Sequence, residues 1–382
     1  MRTAIILVVG LALIAGAVWL PVHVPVWGDV VMLYAAARGL REGVNLYDPA
    51  GQLVMMQAVL PQGAALPLYV YPPWYALGVF FLGWLSPEQA ARLWLALNAV
   101  MLVASILLLT ETWPDFRRVI SVAFSFLLLP VLGLLWVGQF AMPVLLGGAL
   151  FLSGARRRSP WRTAAGLLLM TFKPHVGVLM LALGGLWLLR EAKPWSRRAV
   201  WFTLAGSAVM LAGSFLYDPR WPSHYLAALR GFGNLSTFVI CDLCAGVSTS
   251  LVRLFTGQPD TGLAVWVGAG FFVALCGWLL WARTSLRDDL PRLIAISATA
   301  ILFVNPYLMN YDFVMLLLPL AYVTGHASKK GIVIAAVFFL LPWLGLILGQ
   351  RVALAFALAV CALTMMVALV ITHNREVAPT PA

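Results

Sequence analysis

Apolar runs long enough to cross a lipid bilayer follow one another along almost the whole chain. A spanning helix needs about 20 largely apolar residues, and charges, prolines and turns separate twelve candidate runs. Hydrophobic residues make up 62% of the 382 residues and charged residues only 10%, so a soluble fold could not bury the apolar part and keep a wettable surface. We therefore predict an all-α integral membrane protein, a polytopic helical bundle of about twelve spans: 4–22, 89–110, 118–136, 140–154, 161–173, 175–190, 199–216, 262–282, 291–304, 311–324, 331–348 and 352–372.

The run at 69–86, YVYPPWYALGVFFLGWLS, decides the topology. If it lies on the membrane surface, 17 of the 25 basic residues fall on the cytoplasmic side; if it spans, the triple-Arg loop at 155–162 falls outside. Lys and Arg concentrate in cytoplasmic loops. We therefore predict juxtamembrane helices on the outer surface and two large external loops, at about 23–88 and 217–261.

The same topology places both termini in the cytoplasm. Residues 1–373 form a single membrane domain in this prediction, and 374–382 form a disordered cytoplasmic tail. The net charge of +11 then reflects the distribution of basic loops, and we expect membrane lipid rather than nucleic acid as a partner.

Asp29 follows the first predicted span and begins a segment of helical character at 29–42. A carboxylate there can cap free backbone N–H groups, or it can act as a general base at the membrane–water boundary. Tyr34 and Arg38 lie further along the same segment and could approach the same face. Arg38 is a candidate for binding a phosphate.

Lys173 interrupts an apolar stretch in TFKPHVG. A cation at membrane level is costly unless it meets water, an anionic partner or a phosphate. Three alternatives stay open: snorkelling to the interface, phosphate binding, and a proton relay through His175.

Further candidate substrate-binding residues stand at predicted outer ends of spans. Gln139 lies in WVGQFAMP, and Tyr71 opens the predicted surface helix. The motif NPYLMNYD contributes Asn310, Tyr311 and Asp312 within a few residues of a span.

Cys241 and Cys244 form the motif CDLC, which has the spacing of half a zinc site without a second half. A local disulfide and a pair of free thiols are the alternatives, and we expect no metal. His224, in PRWPSHYLAAL, is predicted to be a surface-loop residue.

The chain contains no P-loop, HExxH or GxSxG motif, which argues against common soluble enzyme classes. Polar groups at one membrane boundary fit an enzyme that receives a lipid-borne substrate. A lipid or solute transporter, or flippase, is the alternative, although we detect no internal repeat. A structural subunit would not need Asp29, Arg38 and Lys173 to converge.

Five segments resemble glycosyltransferase family 87, the polyprenyl-phosphate-mannose-dependent α-mannosyltransferases. They occur in the family's order across roughly 25–325: WGDVVMLYAAARGLREGVNLYDP, YVYPPWYALGVFFLGWLSPEQAARLWLALN, GQFAMPVLLGGALFL, TFKPHVGVLML and NPYLMNYDFVMLLLPLA.

The resemblance implies a GT-C-type fold in the plasma (inner) membrane. It also implies a polyprenyl-phosphate sugar donor, most readily mannose, and a lipid-linked or glycan acceptor. Asp29 matches the family's presumed base, Lys173 its membrane-level lysine and Gln139 the residue of its Gly-Gln pair. No cofactor is expected, because fixed cations such as Lys173 and Arg38 can stabilise a departing phosphate.

Overall fold

The computed structural model describes residues 29–59, 68–233, 241–281, 289–325, 329–348 and 351–371. Throughout these ranges the regular structure is helical, and the only strand-like pairing is an isolated bridge between Cys244 and Met309. The all-α prediction is thereby confirmed. The predicted first span at 4–22 and the predicted tail at 374–382 lie outside the described residues.

The described helices in chain order are α1 (Asp29–Glu42), α2 (Pro49–Gln57), α3 (Pro73–Gly78), a 3₁₀ helix (Phe80–Trp84), α4 (Pro87–Leu109), α5 (Asp115–Leu127), α6 (Leu129–Val137), α7 (Met142–Arg156), α8 (Pro160–Met170), α9 (Pro174–Glu191), α10 (Pro194–Tyr217), α11 (Trp221–Gly233), α12 (Val247–Thr256), α13 (Thr261–Trp281), α14 (Leu290–Val304), a second 3₁₀ helix (Asn310–Leu316), α15 (Leu317–Gly325), α16 (Lys329–Ile347) and α17 (Arg351–Ile371).

In the described ranges, every predicted span from residue 89 onward overlaps one helix or two consecutive helices. Among the described residues, α4, α10, α13 and α17 are long and apolar enough to cross a membrane. The predicted span 118–136 is instead two helices, α5 and α6, which meet at Leu128 with a bend of 60°. This pair raises the number of spans supported by length and composition to five, and the full count of twelve stays a prediction.

The surfaces of α10 and α13 indicate lipid as their solvent. Both helices are largely unburied within the bundle, and they expose large apolar side chains such as Trp201, Val209 and Trp266. A soluble monomer rarely exposes apolar patches of this extent. The exposed rows therefore support a multi-pass membrane protein.

Residues 69–86 form α3 and the first 3₁₀ helix, of six and five residues. Neither is long enough to cross a bilayer. The 3₁₀ helix packs closely on α1: a side chain at Gly83 would come within 2.5 Å of the Ala37 carbonyl oxygen, and the Arg41 guanidinium donates to the Gly83 carbonyl at 3.0 Å. Close backbone approach explains the glycine at this position.

The described residues contain two apolar cores. The larger lies within the helical bundle and includes α7, α14 and α17. The smaller joins α1, α3 and the start of α4, and it is rich in aromatic side chains. Because α1 is buried along most of its length, its first residue, Asp29, is held against the bundle.

Candidate active site

Gly138 ends α6 and directs the next residue, Gln139, toward the start of α1. Its φ of +69° lies in the left-handed region, which glycine adopts without steric cost. The backbone there packs so closely that an added Cβ would lie 2.8 Å from the Val30 Cβ. The Trp94 indole N–H fixes the turn by donating to the Gly138 carbonyl at 2.9 Å.

Gln139 connects four groups through one side-chain amide. Its Nε2 donates to Asp29 Oδ2 at 2.7 Å and to the Tyr311 hydroxyl at 2.8 Å. Its Oε1 accepts from Lys173 Nζ at 3.0 Å and from the Phe140 backbone N–H at 2.7 Å. Since an ammonium and a backbone N–H can only donate, the orientation of the amide is determined, and its N–H groups must face Asp29 and Tyr311.

Lys173 and Asp312 form an ion pair inside the protein. Lys173 Nζ lies 2.5 Å from Asp312 Oδ1, and the two side chains are 2% and 1% exposed. The second carboxylate oxygen, Oδ2, accepts the Met309 backbone N–H at 3.1 Å. The ammonium also lies 5.1 Å from the centre of the Tyr311 ring, a distance that permits a cation–π contact.

Asp29 is the more accessible of the two carboxylates. It is half-buried, whereas both oxygens of the buried Asp312 have hydrogen-bond donors. Burial raises the pKa of the Asp29 carboxyl above its ordinary value, and the Lys173 ammonium and the Gln139 amide oppose that rise. A carboxylate with a raised pKa is a stronger proton acceptor than an ordinary surface aspartate.

An aromatic wall borders the polar cluster formed by Asp29, Gln139, Lys173, Tyr311 and Asp312. The Tyr71 ring lies 5.1 Å from the Phe140 ring and 6.3 Å from the His175 ring. Burial raises the pKa of the Tyr71 hydroxyl well above its ordinary value, so the phenol stays neutral. The side chain of His175 is exposed, and its carbonyl accepts the Asn305 amide at 2.9 Å.

The profile of glycosyltransferase family 87 matches residues 69–309, more than half of the chain. The chain belongs to glycosyltransferase family 87. The resemblance drawn from the motifs is confirmed, and the protein is a glycosyltransferase. The matched range contains Gln139 and Lys173, whereas Asp29 and Asp312 lie outside it. No curated protein matches the chain.

The family 87 enzyme does not gather every predicted residue into the cluster. The Tyr34 hydroxyl donates to the Leu85 carbonyl at 3.2 Å. Arg38 pairs with Glu42 at 2.7 Å, and its position nine residues beyond Asp29 corresponds to about 13 Å along the helix. Asn310 begins the second 3₁₀ helix, with its amide beside Gly133.

A second polar network in the glycosyltransferase was not anticipated. His224 lies in α11 rather than in a loop, and its Nδ1 is 2.6 Å from Asp218 Oδ2. Asn45 donates to the same oxygen at 3.2 Å. Burial would raise the pKa of Asp218, but the hydrogen bonds from the Arg220 backbone N–H, His224 and Asn45 outweigh it and lower the pKa. The network attaches α11 to the segment after α1.

Cys241 and Cys244 form a disulfide, which decides between the two alternatives left by the sequence. Cys276 and Cys361 are free thiols. Within the described ranges, no three His, Cys, Asp or Glu side chains come together as a possible metal site.

Proposed function

We propose that this enzyme transfers a sugar, most readily mannose, from a polyprenyl-phosphate donor to a lipid-linked or glycan acceptor on the outer face of the plasma membrane. The observation that carries the proposal is the arrangement of Asp29 and Lys173 on opposite ends of the Gln139 amide. One amide thus holds a proton acceptor and a cation side by side, which is what sugar transfer from a phosphate requires.

Lys173 is the proposed ligand of the donor phosphate. An ammonium has three N–H groups, and hydrogen bonds to Gln139 and Asp312 account for two of them. The third can donate to a phosphate oxygen. As the bond between the sugar C1 and the phosphate oxygen breaks, the phosphate keeps the bonding electron pair, and the ammonium stabilises the growing negative charge.

Asp29 is the proposed general base. The acceptor hydroxyl oxygen attacks the sugar C1 while its proton passes to the Asp29 carboxylate. Asp312 is less suited to this step, because it is paired with the Lys173 ammonium and already accepts hydrogen bonds at both oxygens. Arg38 is given no part in phosphate binding here, because it stands about 13 Å along α1 from Asp29 and pairs with Glu42.

Tyr71, Tyr311 and His175 are proposed to border the sugar. The Tyr71 and His175 rings are tilted by 35° to each other, with centroids 6.3 Å apart, and the Tyr311 hydroxyl accepts a hydrogen bond from the same amide that holds Asp29. Aromatic faces and neutral hydroxyl groups suit a polar ligand with apolar C–H faces. Gln139 is proposed to act on the sugar indirectly, by orienting Asp29.

The outer location of the site has two supports. Arg156 and Arg157 lie at the far end of α7 from Gln139, and α7 has 15 residues, or about 22 Å. Because basic residues mark the cytoplasmic side, the cluster would lie at the outer side. Cys244 of the disulfide pairs with Met309, whose N–H donates to Asp312. Disulfides persist in oxidising compartments. Both termini are cytoplasmic in this topology.

Donor identity can be tested with the purified protein in detergent. We would supply tritiated mannose either on a polyprenyl phosphate or on GDP, with a membrane lipid extract as the acceptor source. The proposal expects label to move to new extractable products from the polyprenyl phosphate alone. Transfer from GDP-mannose without polyprenyl phosphate would contradict it. Glucose on the same lipid phosphate serves as the test of sugar preference.

A further inference from the structure

The turn closed by Cys241 and Cys244 is built directly onto the segment that leads into the cluster. Cys244 pairs with Met309 in an isolated antiparallel bridge, and the Ala245 N–H donates to the Leu308 carbonyl at 2.7 Å. The Thr249 hydroxyl, one helical turn later, donates to the Pro306 carbonyl at 2.7 Å. The turn and the first residues of α12 therefore hold the backbone of 306–309 together.

Met309 passes this constraint to Asp312. The Met309 N–H donates to Asp312 Oδ2 at 3.1 Å, and the Asp312 N–H donates back to the Met309 carbonyl at 3.0 Å. The other oxygen of Asp312 holds Lys173 Nζ at 2.5 Å. Met309 therefore links the disulfide turn to the Asp312 carboxylate, and Asp312 in turn orients the Lys173 ammonium.

We propose that the Cys241–Cys244 disulfide is a positioning element of the active site, which fixes Asp312 through Met309 and so holds Lys173 where it binds the donor phosphate. This inference rests on the proposed function, since it assumes that Lys173 receives a phosphate. It adds one requirement: Lys173 binds the phosphate well only when the Cys241–Cys244 disulfide is formed.

The surroundings of the turn explain why a covalent bond is needed. Asp242 and Leu243 at its tip are exposed, so they supply little packing to keep the turn closed. Its backbone contacts are few: Arg253 of α12 donates to the Asp242 carbonyl at 3.1 Å and to the Cys241 carbonyl at 3.5 Å, and the Cys241 N–H donates to the Pro259 carbonyl at 3.3 Å. A cross-link limits the conformations of an exposed loop, and here the restricted loop is the one that pairs with Leu308 and Met309.

Burial of the two sulfur-bearing residues makes the bond permanent in the folded protein. Cys241 is 2% exposed and Cys244 is fully buried, so reductants have poor access. On the proposed outer face the disulfide lies in an oxidising compartment, and its burial argues against redox cycling during turnover. The structure assigns it to positioning and not to electron transfer.

The test compares two double variants of the full chain. Cys241→Ala/Cys244→Ala removes the disulfide, and Cys276→Ala/Cys361→Ala removes two cysteines that form none. The probes are farnesyl phosphate, a short-chain polyprenyl phosphate, and farnesol, the same lipid without the phosphate. Dissociation constants are measured with the purified protein in detergent, and amide hydrogen exchange is followed over residues 305–312.

Without the disulfide, we expect farnesyl phosphate to bind about tenfold more weakly, the effect of losing one well-placed charged hydrogen bond. Farnesol binding should not change, and exchange at Met309 and Asp312 should accelerate. The control variant should match the native protein in all three measurements. Equal loss of affinity for both probes, or unchanged affinity for farnesyl phosphate, would overturn the proposal.

A milder variant protects the test against misfolding. Thr249→Val removes the contact to the Pro306 carbonyl and leaves the cysteines intact, and it should weaken farnesyl phosphate binding by a smaller factor in the same phosphate-specific way. Failure of the native protein to bind farnesyl phosphate would overturn the proposed donor instead. Hydrogen exchange then decides the positioning role: faster exchange at 309–312 supports it and unchanged exchange refutes it.

Discussion

Lys173 and Asp312, which are 139 residues apart in the sequence, form a buried ion pair with a separation of 2.5 Å. Desolvating two charges is costly unless further hydrogen bonds satisfy them. Here Gln139 accepts from the ammonium and Met309 donates to the carboxylate. The pair is thus embedded in a polar network, which fixes the ammonium beside the Asp29 carboxylate.

Removal of one partner of the Lys173–Asp312 pair should destabilise the fold. We expect Asp312→Leu to lower the free energy of unfolding by about 3–5 kcal/mol, because Lys173 is left buried without its counter-ion. The double variant Lys173→Met/Asp312→Leu should recover most of this loss while it stays inactive. Thermal unfolding in detergent measures both. Equal stability of Asp312→Leu and the native protein would show that the pair is not energetically coupled.

The pH dependence of transfer should report on Asp29. Burial raises its pKa, and the carboxyl must be ionised to accept a proton, so activity is present above this pKa and is lost as the pH falls through it. We expect the acidic limb of kcat/KM to lie above the ordinary aspartate value of about 3.9.

A second carboxylate beside Asp29 should shift the acidic limb of the kcat/KM profile to higher pH. Gln139→Glu places a second negative charge beside Asp29, which raises the pKa further and shifts the limb to higher pH. Glu88→Gln is the matched control, since Glu88 is an exposed residue paired with Arg92 on α4. A limb at or below pH 4, unmoved in Gln139→Glu, would contradict the assignment.

Gly138 should tolerate no side chain. Its positive φ costs an L-residue roughly 1–2 kcal/mol, and a Cβ would lie 2.8 Å from the Val30 Cβ. We expect Gly138→Ala to lower both stability and activity, because the turn that carries Gln139 must shift. Gly185→Ala is the control: no heavy atom lies within 4 Å of its added Cβ, so unfolding should change little. Equal effects of the two changes would refute the steric argument.

The sequence predicted the helices better than the contacts between them. Proline at the first turn of α4, α8, α9 and α10 marks starts that periodicity alone leaves uncertain. The predicted span at 118–136 is a bent pair of helices, and Pro130 in the first turn of α6 is the local feature that marks the break. Helix starts and breaks can be predicted from the local sequence, because they depend on residues that are neighbours in the chain.

The site was predicted as residues but not as a geometry. Asp29, Gln139, Lys173, Tyr311 and Asp312 are all candidates from the sequence, yet no local pattern joins Lys173 to Asp312 or shows that the Gln139 amide connects Lys173 to Asp29 and Tyr311. Arg38 follows Asp29 on the same helix, but the two are separated by more than two turns. The network of Asp218 and His224 has no local sequence pattern for the same reason, since its third member, Asn45, lies 173 residues from Asp218.

The most direct test of the central claim is transfer of labelled mannose from polyprenyl-phosphate mannose by membranes containing native protein or Asp29→Asn at matched expression. Asparagine keeps the size of the side chain but cannot accept the proton, so we expect unchanged folding and a loss of transfer of at least about 100-fold. Glu88→Gln should retain native activity. Native-level transfer by Asp29→Asn would contradict the account, because the base would then lie elsewhere.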